Sequence, residues 1–155
     1  MKAANQNPSL CSCVNLRRAS RAITRIYDKA LEPADLKITQ YSVLANVARS
    51  GPVSSSNLAR LLRLDRTTLV RNLKSLQDAG FIEDHPEVTD PRERAIRITE
   101  SGRRRVEQAR PYWMLAQKSI EDRLGTDGLQ QLNLLVTSLE AFADDRQPKH
   151  PEEEP

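Results

Sequence analysis

The spacing of apolar residues predicts two helices in the first third of the chain. Apolar side chains recur every three to four positions over residues 16–31 and again over residues 40–49. Pro33 ends the first helix, because the residue before a proline avoids helical geometry. Thr39 is the predicted N-cap of the second helix, and Gly51, followed by a proline, breaks the chain before the next element.

Residues 54–80 predict two more helices, separated by a tight turn. Ser54 and Asp65 are the predicted N-caps, and Gly80 is the C-terminal glycine of the second helix. Arg63 lies in the turn, where many such helix pairs carry glycine, and a left-handed conformation there costs roughly 1 kcal/mol more without glycine. The second helix carries a leucine stripe that must face a core, formed by Leu69, Leu73 and Leu76.

The opposite face of the second helix is polar and basic, and no carboxylate interrupts it. Long cations can reach phosphates or the edge of guanine, while short polar side chains let a helix approach base edges in a major groove. The alternative is a solvated helix face with a chance group of cations. The candidate DNA-contacting residues of this helix are Arg66, Thr67, Thr68, Arg71, Asn72 and Lys74.

Two short strands are predicted directly after this helix, at residues 81–83 and 95–99. The polar segment between them carries Arg92 and Arg94. A helix pair followed by a β-hairpin with arginines at its tip is the outline of a winged helix-turn-helix. In that fold the second helix enters the major groove, and the hairpin, called the wing, reaches a neighbouring minor groove.

The C-terminal third predicts two helices, the second with an apolar face. A helix over residues 102–124, capped by Thr99 or Ser101, precedes Gly125, and a last helix ends near residue 144. The apolar spacing in the last helix favours packing against a second copy of the chain. The alternative is packing within one subunit. The apolar residues concerned are Leu129, Leu132, Leu135, Val136, Leu139, Phe142 and Ala143.

Charge and composition narrow the classes of function. The chain has 155 residues and a formal net charge of +3. Five carboxylates and two cations give residues 144–155 a charge of −3, which leaves +6 on residues 1–143 and favours a polyanion partner. A signal peptide and an apolar run near the roughly 20 residues of a membrane span are missing, so we expect a cytoplasmic protein without a membrane partner. Sequence motifs of metal sites, phosphate loops and catalytic nucleophiles are missing too, so we predict no enzyme activity and no cofactor.

Several short motifs in the helix pair and the hairpin point to one family. They lie at residues 58–59, 64–69, 71, 73, 79–82, 90–94 and 98–102. Together they resemble the MarR family of transcriptional regulators. The resemblance implies a homodimer joined by the first and last two helices, with two winged lobes that bind double-stranded DNA at a pseudo-palindromic operator with half-sites about 34 Å apart.

The resemblance also suggests how the chain is divided. We expect a flexible N-terminal arm at residues 1–13 and an acidic flexible tail at residues 145–155. The helical dimerisation region comprises residues 14–38 and 101–144. The winged helix-turn-helix DNA-binding domain comprises residues 39–100. The expected fold class is therefore mainly α with a small β component.

Cys11 and Cys13 lie just before the first helix and allow two interpretations. A disulfide within Cys-x-Cys would be strained, and a structural zinc site lacks further ligands nearby. The first interpretation is a thiol sensor, because a helix N-terminus and Arg17 or Arg18 favour a thiolate. Peroxide-sensing members of the family carry a cysteine at a comparable place, although this chain has Asn15 and Arg25 where their tyrosines are expected. The second interpretation is two small residues in an N-terminal arm.

The resemblance also suggests a binding site for a small-molecule effector. Members of the family often hold small phenolic or lipophilic effectors between the dimer helices and the winged lobe. The alternative is that single aromatic residues at helical spacing pack in the core. The aromatic residues that would line such an effector pocket here are Tyr27, Tyr41, Tyr112 and Trp113.

These features together predict a sequence-specific DNA-binding regulator, specifically a repressor that is released by a ligand or an oxidant. An alternative from a different class is a winged-helix protein-interaction module whose basic face docks an acidic partner. Salt dependence separates the two poorly, because both interactions are electrostatic. Preference for a DNA sequence separates them well.

Overall fold

The computed structural model describes residues 9–86 and 95–145. The chain divides into two compact units, Met1–Ala116 and Gln117–Pro155. The helices are α1 (Ser12–Leu31), α2 (Ile38–Ser50), α3 (Ser55–Leu62), α4 (Arg66–Asp78) and α5 (Glu100–Asp145), with a 3-10 turn at Glu32–Ala34; the strands are β1 (Val53–Ser54), β2 (Ile82–His85) and β3 (Ala95–Ile98). The predicted fold class, mainly helical with a small β component, is confirmed.

Helix α1 begins at Ser12, four residues earlier than predicted, because a polar loop fixes its first turn. The Asn15 side chain accepts a hydrogen bond from the Ser9 backbone N–H at 3.0 Å and donates one to the Ser9 carbonyl at 2.6 Å. Ser9 Oγ in turn accepts from the Cys11 backbone N–H at 3.1 Å. The helix ends at Leu31, as the following Glu-Pro pair predicts.

The prediction that Thr39 caps α2 is wrong, because the helix begins at Ile38 with Lys37 as its N-cap. Gln40 Oε1 accepts from the Lys37 backbone N–H at 2.8 Å. Asp28 of α1 accepts from the Ile38 backbone N–H, also at 2.8 Å. Side chains from α2 and α1 thus satisfy two N–H groups that a helix start would leave without partners.

The turn between α3 and α4 is fixed by the caps that the sequence predicts. Ser54 Oγ accepts from the Asn57 backbone N–H at 3.2 Å and caps α3. Arg63 ends α3 in the left-handed conformation, with φ 50° and ψ 39°. Asp65 caps α4 by accepting from the Thr68 backbone N–H at 2.9 Å. The direction in which α4 leaves the turn is therefore set locally.

Helix α4 ends at a glycine, as predicted. Gly80 has a φ of +70°, which glycine adopts without steric cost. Its N–H donates to the Gln77 carbonyl, and the Phe81 N–H donates to the Leu76 carbonyl, both at 2.9 Å. This pair of bonds is the Schellman pattern, and it leads the chain directly into β2.

The three strands form one antiparallel sheet in the order β1-β3-β2. Strand β1 was not predicted; it pairs with β3, with Val53 opposite Ile96. On the other side of β3, Glu83 of β2 lies opposite Arg97. The two predicted hairpin strands are confirmed, whereas the tip of the hairpin, residues 87–94, lies outside the described residues.

Thr99 and Gly102 attach the start of α5 to the end of α4. Thr99 Oγ1 accepts from the Gly102 N–H at 3.0 Å, so Thr99 is the N-cap of α5. The same hydroxyl donates to the Gly80 carbonyl at 2.7 Å. A Cβ atom on Gly102 would overlap the carbonyl oxygen of Phe81, so only glycine permits this close approach.

The core of the first unit explains which way α4 faces. Leu69, Leu73 and Leu76 are 2%, 6% and 1% exposed, which confirms the predicted stripe. The side of α4 opposite these leucines therefore points outward. The leucines belong to one apolar cluster with side chains of α2, α3 and the sheet, which include Val43, Leu44, Val47, Leu58, Ile82, Ile96 and Ile98.

Helix α5 is interrupted at Gly125, where the sequence predicts a break. The φ of 68° and ψ of 173° at this residue are not helical. Within the second unit, the following segment leaves five apolar side chains between 41% and 64% exposed, namely Leu134, Leu135, Val136, Leu139 and Phe142. Among the described residues, no helix has the length and apolar character needed to cross a membrane.

Candidate nucleic-acid interface

The outward side of α4 carries a compact group of exposed side chains. With 3.6 residues per turn, positions one turn apart on this side are neighbours. Thr67, Arg71 and Lys74 lie opposite the buried leucines, and Arg66 and Val70 lie at the edge nearer to Leu73. Three of the five are cations, one is a threonine and one is a valine. We name this group the α4 outer face; it consists of Arg66, Thr67, Val70, Arg71 and Lys74.

Thr68, a predicted DNA-contacting residue, takes part in the cap of α4. Its hydroxyl donates to Asp65 Oδ2 at 2.6 Å, in addition to the backbone bond to the same carboxylate. The hydroxyl bond, together with the backbone bond, holds the pKa of Asp65 below its ordinary value. Thr68 is half-buried. Its first role in this structure is to fix the N-terminal turn from which Arg66 and Thr67 project.

Asn72 lies at the margin of the α4 outer face and is half-buried. Its Nδ2 donates to the Thr68 carbonyl at 2.8 Å, so α4 itself orients this amide. Ser75, on the same side of α4 as Thr68 and Asn72, accepts a hydrogen bond from Gln40 Nε2 of α2 at 3.0 Å. This margin is therefore held by hydrogen bonds, and α2 is tied directly to α4.

The prediction that no carboxylate interrupts this side of α4 is wrong at its C-terminal end. Asp78 lies one turn beyond Lys74, and its Oδ2 is 3.3 Å from Lys74 Nζ. Both side chains are more than 60% exposed, and exposed pairs of this spacing are weak. Lys74 can therefore exchange Asp78 for a phosphate, but it is a less available cation than the sequence suggested.

Val70 is the residue of the α4 outer face that sequence reasoning missed. It is 53% exposed and lies one turn from both Arg66 and Lys74. Helical spacing alone gave no clear signal, because Val70 lies three residues before Leu73 and one turn from both Arg66 and Lys74. An apolar residue there belongs to the outward surface rather than to the core.

The wing is described only at its base. Arg92 and Arg94, the predicted wing contacts, lie outside the described residues. On the exposed side of the hairpin, Arg97 Nε is 2.6 Å from Glu83 Oε1 across the two strands. This cross-strand pair stabilises the observed register of β2 and β3 at the base of the wing.

The two cysteines lie at the start of α1. Cys11 is the N-cap residue of that helix, and Cys13 lies in its first turn. Both are free and exposed. The thiols are thus accessible to a soluble oxidant, as a thiol sensor requires. The same exposure fits the second interpretation, two small residues in an N-terminal arm.

The four aromatic residues suggested for an effector pocket have different surroundings. Tyr41 is buried in the core of the first unit, and its ring stacks on that of Trp113 with centroids 6.0 Å apart and planes 25° apart. Burial raises the pKa of the Tyr41 hydroxyl, against a smaller lowering by Arg110. Tyr112 packs against the same core, and Tyr27 is half-buried. Tyr41 and Trp113 therefore pack against each other, and a pocket at these residues stays a prediction.

Comparison with known proteins places this geometry among DNA-binding regulators. A family model described as the MarR family matches residues 34–93. The structure of the M. tuberculosis transcriptional regulator MosR in complex with DNA is similar to this chain, with 31% identity and a TM-score of 0.78. The match covers 88% of this chain and 99% of that one.

Two more distant structures share the fold. An E. coli MarR mutant complexed with operator DNA has 22% identity and a TM-score of 0.72, and the match covers 80% of this chain and 89% of that one. The S. aureus MepR–DNA complex has 18% identity and a TM-score of 0.73, with 86% and 99% covered. At these identities the comparison supports the winged-helix architecture alone.

Proposed function

This chain belongs to the MarR family of transcriptional regulators, and we propose that it represses transcription by binding an inverted-repeat operator as a homodimer. The family and the fold are those of DNA-binding regulators rather than enzymes. The observation that carries the proposal is the α4 outer face. It presents cations on a helix that is held in place by its buried opposite side and by the Asp65 cap of its first turn.

The side chains of α4 would divide the contacts with DNA according to their exposure. Arg66, Thr67 and Arg71 are exposed near the helix start, the part of a recognition helix that meets base edges. Lys74, with its weak partner Asp78, suits a phosphate. Thr68 and Asn72, at one margin of the face, would make contacts with shorter side chains. Arg92 and Arg94 of the wing would enter the neighbouring minor groove.

Dimerisation is supported by apolar surfaces that a single chain leaves exposed. The five exposed side chains of the last helical segment continue over Leu134 to Phe142. Helix α1 adds Val14, Leu16 and Ile26, which are 38% to 44% exposed. We assign dimerisation to residues 14–38 and 101–144, and DNA binding to residues 39–100. A two-fold dimer would place two copies of α4 in major grooves about 34 Å apart, so the operator would be an inverted repeat.

DNA recognition is tested by fluorescence anisotropy at physiological salt. The full-length protein is titrated onto duplex DNA from upstream of its own gene and onto a scrambled duplex of the same length and composition. A preference on the order of a thousandfold for the upstream DNA fits a specific regulator. Equal affinity for the two duplexes, and for duplexes selected from a random pool, would favour the protein-docking alternative instead.

Dimerisation is tested by sedimentation with one matched pair of variants. Leu135→Glu places a charge among the exposed apolar side chains, whereas Thr137→Glu adds the same charge two positions away, on another side of the helix. We expect Leu135→Glu to sediment as a monomer and to lose affinity for the inverted repeat. Thr137→Glu should remain a dimer. A dimer of unchanged stability in both variants would contradict the assignment.

Release from DNA is the remaining part of the proposal, with an oxidant or a ligand as the trigger. Cys11 and Cys13 are exposed, so peroxide in the anisotropy assay tests the oxidant directly. Loss of specific binding in the wild type, with binding retained in the Cys11→Ser, Cys13→Ser double variant, would make the thiols the switch. Unchanged binding after peroxide would point to a small-molecule effector, for which Tyr27 and Tyr112 are the candidate contacts outside the Tyr41–Trp113 stack.

A further inference from the structure

Val70 is an exposed apolar side chain between two cations of the α4 outer face. It is the fifth residue of α4 and is 53% exposed. Arg66 and Lys74 lie one turn before and after it, and Arg71 follows it in the chain. A molecule that contacts both Arg66 and Lys74 therefore also covers Val70, which lies between them.

The stability of α4 does not account for a valine at this position. The side chain is 53% exposed, whereas those of the buried stripe, Leu69, Leu73 and Leu76, are at most 6% exposed. Valine is also a weaker helix former than alanine, because its branched Cβ restricts the side chain in a helix. The same restriction holds both methyl groups in one direction, which makes them a fixed apolar contact.

A major groove offers one apolar feature to such a contact, the C5-methyl group of thymine. Arginine, lysine and threonine can hydrogen-bond to phosphates and polar base edges, but valine has no donor or acceptor in its side chain. We propose that Val70 specifies a thymine in each half-site by packing against this methyl group. The inference rests on the proposed function of α4 as the DNA-contacting helix, and it adds a base preference to that function.

The experiment begins with duplexes selected from a random pool by the full-length protein. In the enriched sequence, each thymine is replaced in turn by deoxyuridine, which keeps the base pair and removes only the methyl group. Anisotropy should detect one thymine per half-site at which the change weakens binding about fourfold, the value expected for one buried methyl group. In Val70→Ser, binding should be equal on thymine and deoxyuridine at that position.

A matched control comes from α3. Leu61 is 49% exposed and lies on the other helix of the pair, which crosses the DNA backbone in a helix-turn-helix. Leu61→Ser should keep the fourfold difference between thymine and deoxyuridine. If Leu61→Ser abolished the difference as fully as Val70→Ser does, the difference would not belong to Val70 and the inference would be overturned.

The outcomes distinguish a failure of the Val70 inference from a failure of the proposed sequence-specific DNA binding. Enrichment of a sequence that binds equally well with deoxyuridine at every position would overturn the role of Val70 and leave sequence-specific binding intact. An equal deoxyuridine effect in the wild type and Val70→Ser would do the same. Failure to enrich any sequence would contradict the proposed function itself.

Discussion

Gly102→Ala tests how α5 is attached to the DNA-contacting lobe. In the present structure the α5 start approaches the end of α4 so closely that a Cβ on residue 102 would overlap the Phe81 carbonyl oxygen and lie 2.8 Å from Ile98 Cγ1. The Phe81 oxygen is backbone, and it already accepts a hydrogen bond from the Thr99 N–H at 3.0 Å. It cannot move aside without breaking that bond, so the helix start must shift instead.

The expected magnitude follows from two opposing effects. Overpacking typically costs about 1 to 3 kcal/mol, and a rigid backbone neighbour places this site near about 3 kcal/mol. Alanine recovers about 1 kcal/mol, because it is the better helix former. We therefore expect Gly102→Ala to lower the free energy of unfolding by about 2 kcal/mol.

The assay is urea denaturation followed by circular dichroism, with all proteins at one concentration because a dimer's stability depends on it. Gly128→Ala is the control, since its Cβ would meet only a side-chain atom, Leu124 Cβ, at 3.2 Å, and no backbone atom. The control should be neutral or up to about 1 kcal/mol more stable. Gly102→Ala as stable as the control would refute the reasoning that this glycine is required for close approach.

Three further predictions concern the helix pair. Arg63→Gly and Arg63→Ala both remove the guanidinium, but the left-handed φ of 50° favours glycine. Arg63→Gly should therefore be about 1 kcal/mol more stable than Arg63→Ala in urea denaturation. Equal stability of the two variants would contradict the left-handed turn. Because Thr68 holds the pKa of Asp65 low in the folded state, the stability that Asp65 contributes is present above its unfolded pKa and is lost as the pH falls through the folded value. The difference in urea midpoint between the wild type and Asp65→Asn should therefore shrink as the pH falls below about 4, the ordinary pKa of an aspartate, toward the lower folded pKa of Asp65. A constant difference down to about pH 2.5 would count against the cap. Lys74→Ala should weaken binding to specific and scrambled DNA by the same factor, as expected of a phosphate contact; a loss confined to one sequence would assign it a base.

Much of the helix pair could be predicted because its signals are local. Asp65 and Ser54 cap the helix that each precedes, and Gly80 ends α4 with a positive φ, since caps depend on residues three or four positions away. The left-handed Arg63 follows from the same short-range geometry. The leucine stripe of α4 needed only helical spacing.

Other features depend on contacts that spacing does not reveal. Strand β1 is two residues long and exists through its pairing with β3, more than 40 residues later, so no alternating pattern marks it. The N-cap of α2 escaped prediction because Asp28 of α1 supplies one of its hydrogen bonds. Thr39 had the right side chain for a cap, yet it already lies inside the helix.

The exposed arginines of the candidate site were predicted from the sequence, but the surroundings of Lys74 and Val70 were not. Arg66, Thr67 and Arg71 lie together and exposed, as helical spacing requires. The outward position of Val70 depends on where the buried side of α4 lies, which the sequence approximates only to within part of a turn. The pairing of Lys74 with Asp78 follows from their i,i+4 spacing and was overlooked.

The central claim is that α4 distinguishes one DNA sequence from another, and Arg71→Ala tests it most directly. Arg104→Ala, an exposed arginine of α5 paired with Glu100 at 3.6 Å, removes the same charge away from α4. The affinity of each variant is measured by anisotropy on the specific and the scrambled duplex at one salt concentration. The account predicts that Arg71→Ala loses about 1 to 3 kcal/mol on the specific duplex alone, with Arg104→Ala unchanged. An equal loss on both duplexes, or none on either, would contradict sequence recognition by this face.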